Sequence, residues 1–195
     1  MKLSTQDYKE LINHFPFLYP RNVWTDEPIE DYDYDWCLGV DELPEGWVRL
    51  FLLYCKHMRS ELMKSNYLDK FRFTQIKEKY GDMRLYNNGT PKDSSCYDLE
   101  YIYGHLSTYV CENCGKPAKY ESRGWIAQEC EEHKSKDSIK KKKKNYTITI
   151  IGFDPCQGGK YETKIPCKKY WDEYLKCLKL SDEEFLNYIK IEEKK

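Results

Sequence analysis

Apolar positions along the chain fall into helical and strand-like periods separated by polar or proline- and glycine-rich breaks. Ser4-Thr5-Gln6-Asp7 has the form of a capping box, and Tyr8, Leu11, Ile12 and Phe15 follow at helical spacing until Pro16 and Pro20 end the run. Pro44 suits a first helical position. From there Trp47, Leu50, Phe51, Tyr54, Met58, Leu62 and Met63 draw one apolar stripe over about five turns, the main core helix. Phe71 to Lys77 alternates as a strand, Gly81-Asp82 supplies a turn and Met83 to Tyr86 returns, which predicts a hairpin. Tyr97, Tyr101, Leu106 and Val110 mark a second helix. Tyr146 to Phe153 is the strongest strand signal, and it pairs across Asp154–Gly159 with Tyr161 to Ile165. Tyr170, Trp171, Tyr174, Leu175 and Leu178 predict another helix. Ser181 to Glu184 caps a last one carrying Phe185, Tyr188 and Ile189. The fold class is α+β, a long core helix with β-hairpins.

Charge subdivides this pattern. Residues 21–45 hold nine carboxylates against Arg21 alone, and no clean period, so they read as an irregular acidic arm. Lys134 to Lys144 holds seven lysines and one acid, Asp137. Four regions follow: 1–35, an N-terminal helix and acidic arm; 36–133, the main core; 134–145, a lysine-rich linker; 146–195, a hairpin and two helices. The net charge of −1 and 18 tyrosines in 195 residues argue for a folded chain. No apolar run reaches the length of a membrane span, and Met1-Lys2-Leu3-Ser4 leads into polar residues, so a cytoplasmic protein is expected.

Nine cysteines, an odd number, cannot all pair. In a reducing compartment, close cysteine pairs read as metal or redox chemistry. Cys111-x2-Cys114, fifteen residues, then Cys130-x2-His133 offers four donors in two tight pairs, the requirement of a tetrahedral Zn²⁺ site. Gly115 fits the knuckle after the first pair. Lys119–Ser122 and Gly124–Ala127 suit a short hairpin between the pairs, with Cys130 and His133 at a helix start, a treble-clef-like order. Three Cys and one His fill the shell, so the expected role is structural. Buried cysteines beside a surface histidine, or a redox Cys-x-x-Cys, are the alternatives. Cys37, Cys55, Cys96, Cys156, Cys167 and Cys177 lack paired spacing and read as core residues.

Gln75-Ile76-Lys77-Glu78-Lys79-Tyr80-Gly81-Asp82-Met83-Arg84-Leu85-Tyr86, then Cys111-Glu112-Asn113-Cys114-Gly115, Gly124-Trp125 and Cys130-x2-His133, resembles a group of uncharacterised bacteriophage and prophage proteins. Gly46-Trp47 fits the same pattern, and Asp82 and Met83 depart from it, standing where the group has Gly and Leu. The resemblance spans residues 36–133. It implies a phage-type origin and a zinc module, and no reaction.

Three functions follow as expectations. Lys77, Lys79, Arg84 and the lysines Lys140, Lys141, Lys142, Lys143 and Lys144 suit phosphate contacts, and Tyr80 and Tyr86 suit stacking on unpaired bases of RNA or single-stranded DNA. The acidic arm with Trp24, Tyr32, Tyr34 and Trp36 suits a basic groove on another protein. Together with the closed zinc shell, this favours a non-catalytic phage-type protein that binds and inhibits a host protein or ribonucleoprotein, such as a CRISPR nuclease. Asp69 with Gln75 and Lys77 imitates a metal-dependent nuclease more weakly. Gly158-Gly159-Lys160 fails the phosphate-loop pattern, and His14, His57 and His105 have no partner visible in the sequence.

Overall fold

The computed structural model describes residues 1, 3–19, 21–22, 24–29, 43–92, 94–142, 145–154 and 159–191. Helix α1 (Thr5–His14) starts at the expected box: Ser4 accepts from the Asp7 amide, and the Asp7 carboxylate accepts from the Ser4 amide at 2.8 Å. Pro44 caps a 3₁₀ turn, Glu45–Trp47, one residue ahead of its expected place, and this turn feeds the central helix α2 (Val48–Lys64). From Trp47 to Cys55 every side chain but Arg49 is buried, because α2 is packed on several sides. Farther along only the Met58 and Leu62 row stays inside. Met63, expected in the stripe, sits one step round from Leu62 and is 47% exposed.

β1 (Phe73–Lys79) and β2 (Asp82–Asn87) form the expected hairpin, with its turn at Tyr80-Gly81. Both turn residues have positive φ, 57° and 72°, the mirror-image turn whose twist matches the strands. Asp82 therefore belongs to β2. Helix α3 (Cys96–Ser107) is present, but its inner face is Cys96, Leu99, Ile102, Tyr103 and Leu106, while Tyr97 and Tyr101 face out. Two apolar rows at helical spacing compete on this helix. The inner row is mainly aliphatic, and its one tyrosine, Tyr103, has a buried partner for its hydroxyl in His57 Nδ1 at 2.5 Å.

β3 (Tyr120–Glu121) lies within its expected arm, but its partner β4 (Gln128–Glu129) follows the expected Gly124–Ala127, which forms the connecting loop; β3 pairs also with β5 (Ile139–Lys140), so part of the expected lysine linker is a strand. Cys130–His133 forms a turn with no helix after it. Buried Glu129, just before this turn, explains why: its carboxylate accepts from the Ser135 amide and from the Ser135 and Ser138 hydroxyls, folding the segment back toward β3. β6 (Thr147–Asp154) and β7 (Gly159–Pro166) make the last hairpin, followed by α4 (Lys168–Cys177) and α5 (Asp182–Lys190). Ser181 caps α5 through its own box with Glu184. Buried residues from α1, α2, α3, α4 and α5 form one hydrophobic cluster, which includes Cys55, Cys96, Cys167 and Cys177. Arg49 of α2 seals the C-terminal helices to it, donating to the carbonyls of Cys177 at 2.7 Å and Leu180 at 3.0 Å.

Candidate metal centre and binding face

Cys111, Cys114, Cys130 and His133 converge, with their donor atoms all within 4.8 Å of one another. The Cys114 and Cys130 sulfurs are 3.7 Å apart, and His133 Nδ1 lies 3.6 Å from Cys111 Sγ and 3.3 Å from Cys130 Sγ. A tetrahedral ion with metal–sulfur bonds of about 2.3 Å sets donor edges of about 3.8 Å between sulfurs and about 3.6 Å between sulfur and nitrogen. The cluster is thus sized to hold a metal ion. Loss of hydration there, followed by the neighbouring Cys111 sulfur, pushes the Cys114 thiol up to about 12, against a hydrogen bond from the Lys116 amide. Ionising three adjacent thiols without a cation is unfavourable, and a divalent ion removes the conflict.

The centre is built into the core by residues far from it in sequence. The Gly46 amide donates to the Glu112 carbonyl at 2.7 Å, and a Cβ on Gly46 would stand 2.2 Å from the Cys111 carbonyl oxygen. Trp47, fully buried, donates its indole N–H to the Val110 carbonyl at 2.9 Å. Tyr174 of α4 donates to the Gly115 carbonyl at 2.8 Å, and Gly115 itself has φ of 76°. The tip of the β1–β2 ribbon docks on the other side: Gln128 donates to the Gly81 carbonyl at 3.0 Å, and a Cβ on Gly81 would meet that amide at 2.5 Å. Gly46 and Gly115 therefore touch each other at the knuckle, where backbone stands in the place of any Cβ, whereas Gly124 of the same motif meets no atom within 4 Å.

The ribbon sorts its side chains by face. Ile76 and Met83 point into the core, while Gln75, Lys77 and Lys79 face outward opposite Tyr86, Arg84 and Asp82. Lys77 Nζ lies 5.3 Å from the Tyr86 ring centre and donates to Gln75 Oε1 at 2.6 Å. Lys79 Nζ lies 5.6 Å from the Tyr80 ring, and Arg84 pairs with Asp82 at 3.1 Å. Tyr80 is 68% exposed.

The lysine run is not equivalent to this face. Lys140 and Lys142 are exposed, whereas Lys141 turns inward and donates to the Thr108 carbonyl and to Gln128 Oε1. Burial lowers the Lys141 ammonium below its ordinary value. Its charge joins β5 to α3, so the expected phosphate contact is corrected to an internal tie. Lys143 and Lys144, with Cys37, Cys156, Tyr32, Tyr34 and Trp36, lie outside the described residues. Asp69 stands exposed in a turn and joins no metal-donor group among the described residues.

His57 has partners that its sequence neighbours do not reveal. Its Nδ1 lies 2.5 Å from the Tyr103 hydroxyl and its Nε2 3.1 Å from Glu173 Oε2, while Tyr188 donates to Glu173 Oε1 at 2.6 Å. Burial works to raise Glu173, but hydrogen bonds from His57 and Tyr188 outweigh it and hold the carboxyl down at about 2. His105 Nε2 meets the Asn145 carbonyl at 2.8 Å. Glu100 of α3 was also illegible in the sequence. It lines a cleft of 420 Å³ beside β2, and burial pushes it up to about 7 despite a hydrogen bond from Asn87. Among the described residues, no helix is long and apolar enough to cross a membrane. Compared with known proteins, the chain matches no family model, no curated protein and no solved structure.

Proposed function

We propose that this chain is a non-catalytic, zinc-stabilised module that binds single-stranded nucleic acid, RNA foremost, on the outer face of the β1–β2 ribbon. The carrying observation is the sorting of that ribbon. Its apolar side chains enter the core, while Lys77, Lys79 and Arg84 stand outside beside exposed Tyr80 and Tyr86. Cations there meet phosphates and the rings stack on unpaired bases. Zinc is the ion that suits three thiolates and an imidazole, since calcium and magnesium take oxygen. Four protein donors fill its shell, and the ion holds a treble-clef-like knuckle and hairpin that props the ribbon tip through Gln128. His57 joins α2 to α3 and α4, with Tyr103 at Nδ1 and Glu173 at Nε2.

Retardation of mixed-sequence RNA and single-stranded DNA across a salt series tests the reading. The slope of log affinity against log salt should fall by about one for each of Lys77→Ala, Lys79→Ala and Arg84→Ala. Failure of the wild-type chain to retard either polymer at low salt would sink it.

A second reading, inhibition of a host protein or ribonucleoprotein in a bacterial cytoplasm by a phage-type protein, is favoured by two tryptophans. Trp24 is 91% exposed at the head of the acidic stretch, and Trp125 is 78% exposed at the tip of the β3–β4 hairpin. Exposed Trp is a side chain that interfaces bury. This reading expects a host protein to be captured by the wild type and lost with Trp24→Ala.

A further inference from the structure

The cleft beside β2 has features that the outer face of the ribbon lacks. Among the described strands β2 pairs with β1 alone, and its second edge faces α3, packed at Met83 and bordering the cleft at Leu85 and Tyr86. The Met83 amide donates to Ser107 Oγ at 2.9 Å, away from β1, and by the alternation of an antiparallel ladder the Leu85 amide and carbonyl turn to that same edge. Across the gap α3 presents Tyr97, Glu100 and Tyr101, and Tyr86 stands at the ribbon side. Tyr97 and Tyr101 hold each other edge-to-face at 5.1 Å, with their hydroxyls 3.1 Å apart, which fixes an aromatic wall. Asn87 donates to Glu100 Oε1 at 2.7 Å, and Oε2 has no such partner among the described residues.

We infer that this cleft takes one guanine base of the bound strand, with Tyr86, Tyr97 and Tyr101 against its faces and Glu100 accepting from its N1–H and N2–H groups. The inference deepens the nucleic-acid reading and rests on it. Of the four RNA bases, guanine alone places two adjacent donors on the edge that a carboxylate can accept. Uracil would set carbonyl oxygens against the charge, and adenine and cytosine offer one amino group each. The Leu85 amide supplies a donor for guanine O6. The cleft is of ligand size, and Arg84 at its rim, paired with Asp82 at 3.1 Å, matches a phosphate. Burial without an ionic partner raises Glu100, as expected of a carboxylate whose donors arrive with the ligand.

Fluorescence anisotropy of the full chain with a labelled oligouridine, and with the same strand carrying one central guanosine, tests this. The guanosine strand should bind about tenfold tighter, the worth of one good bidentate contact. Glu100→Gln should erase the difference, and Tyr97→Ala, which alters an exposed ring, should weaken the guanosine strand severalfold. A deoxyguanosine substitution should serve as well, since the base edge is what is read. Equal affinity of the wild type for both strands, or a preference that survives Glu100→Gln, overturns the guanine pocket while oligouridine binding still upholds the ribbon. Absence of binding to every strand overturns both.

Discussion

Two polar clusters join distant parts of this chain, and they work by opposite chemistry. At the knuckle, Cys111, Cys114, Cys130 and His133 crowd donors that need a cation. On the other side of α4, His57, Glu173 and Tyr188 complete one another with hydrogen bonds, and Lys56 adds its charge 3.8 Å from Glu173. Adjacent residues of α4 serve the two: Glu173 reaches His57 on α2, and Tyr174 reaches Gly115 at the knuckle. The lesson is that α4 is clamped twice, once by a network that is self-sufficient and once at a turn whose four clustered donors can hold an ion.

That difference sets the largest expected effect. Stripping the metal with a strong chelator, or Cys114→Ser, should unfold the β3–β4–β5 module and loosen the start of α2. The expected cost is several kcal/mol, below the about 10–16 kcal/mol known for whole zinc-finger peptides, because the helical core persists without the ion. Thermal melting with and without chelator measures it. A melting curve that chelator leaves unmoved would remove the metal from the account of stability.

Only one of the two clusters could be read from the sequence, and the reason is distance. Each cysteine pair is local, and a spacing of three residues fixes its geometry whatever the rest of the chain does. His57 meets Tyr103, 46 residues on, and Glu173 still farther, through helix packing that no local pattern encodes. The same division runs through the fold. Both capping boxes, the Trp47 to Leu62 stripe and the β1–β2 hairpin were legible because neighbours in sequence decide them. The outward turn of Tyr97 and Tyr101, strand β5 and the inward Lys141 were not, because each depends on what packs opposite. The knuckle glycines lie between: Gly46 and Gly115 were visible as motif letters, and their reason, mutual contact, appeared only in three dimensions.

Gly46→Ala sharpens that point and comes next in size. Its Cβ would lie 2.2 Å from the Cys111 carbonyl and 2.6 Å from the Glu112 carbonyl, both backbone atoms. Neither can move without displacing a metal ligand, so a loss of about 3 kcal/mol is expected, at the upper end of overpacking costs. Metal affinity should fall with stability, measured by competition with a chromogenic chelator. The same change away from the knuckle, Gly89→Ala, meets no atom within 4 Å but strains a backbone at φ of 113°, so it lowers stability while metal affinity stays at the wild-type level.

Glu173→Gln probes the self-sufficient cluster. Glu173 is held at about 2, below the ordinary glutamate value of 4.5. Its ionisation therefore adds stability that is fully present above about pH 4.5 and drains as pH falls toward about 2. The Gln variant should be about 1–2 kcal/mol less stable at pH 7 after allowance for solvent at the pair, and the two stability curves should converge in acid. Curves that stay parallel from pH 7 to pH 3 would show that charge is not what Glu173 contributes. Metal content should be unchanged, because the network reaches the knuckle only through the α4 backbone.

Tyr188→Phe gives the smallest effect and the sharpest partition. It deletes one donor to Glu173 Oε1, a charge-assisted bond of 2.6 Å, while the ring keeps its place under Lys56, whose Nζ is 4.6 Å from the centroid. The expected loss is about 1 kcal/mol at neutral pH. In the Glu173→Gln background the same change should cost only a few tenths of a kcal/mol, because the bond then joins two neutral groups. A double-mutant cycle by denaturant unfolding measures that coupling. Full additivity would mean that the hydroxyl and the carboxylate act independently despite their contact, and the second clamp on α4 would then rest on His57 and Lys56 alone.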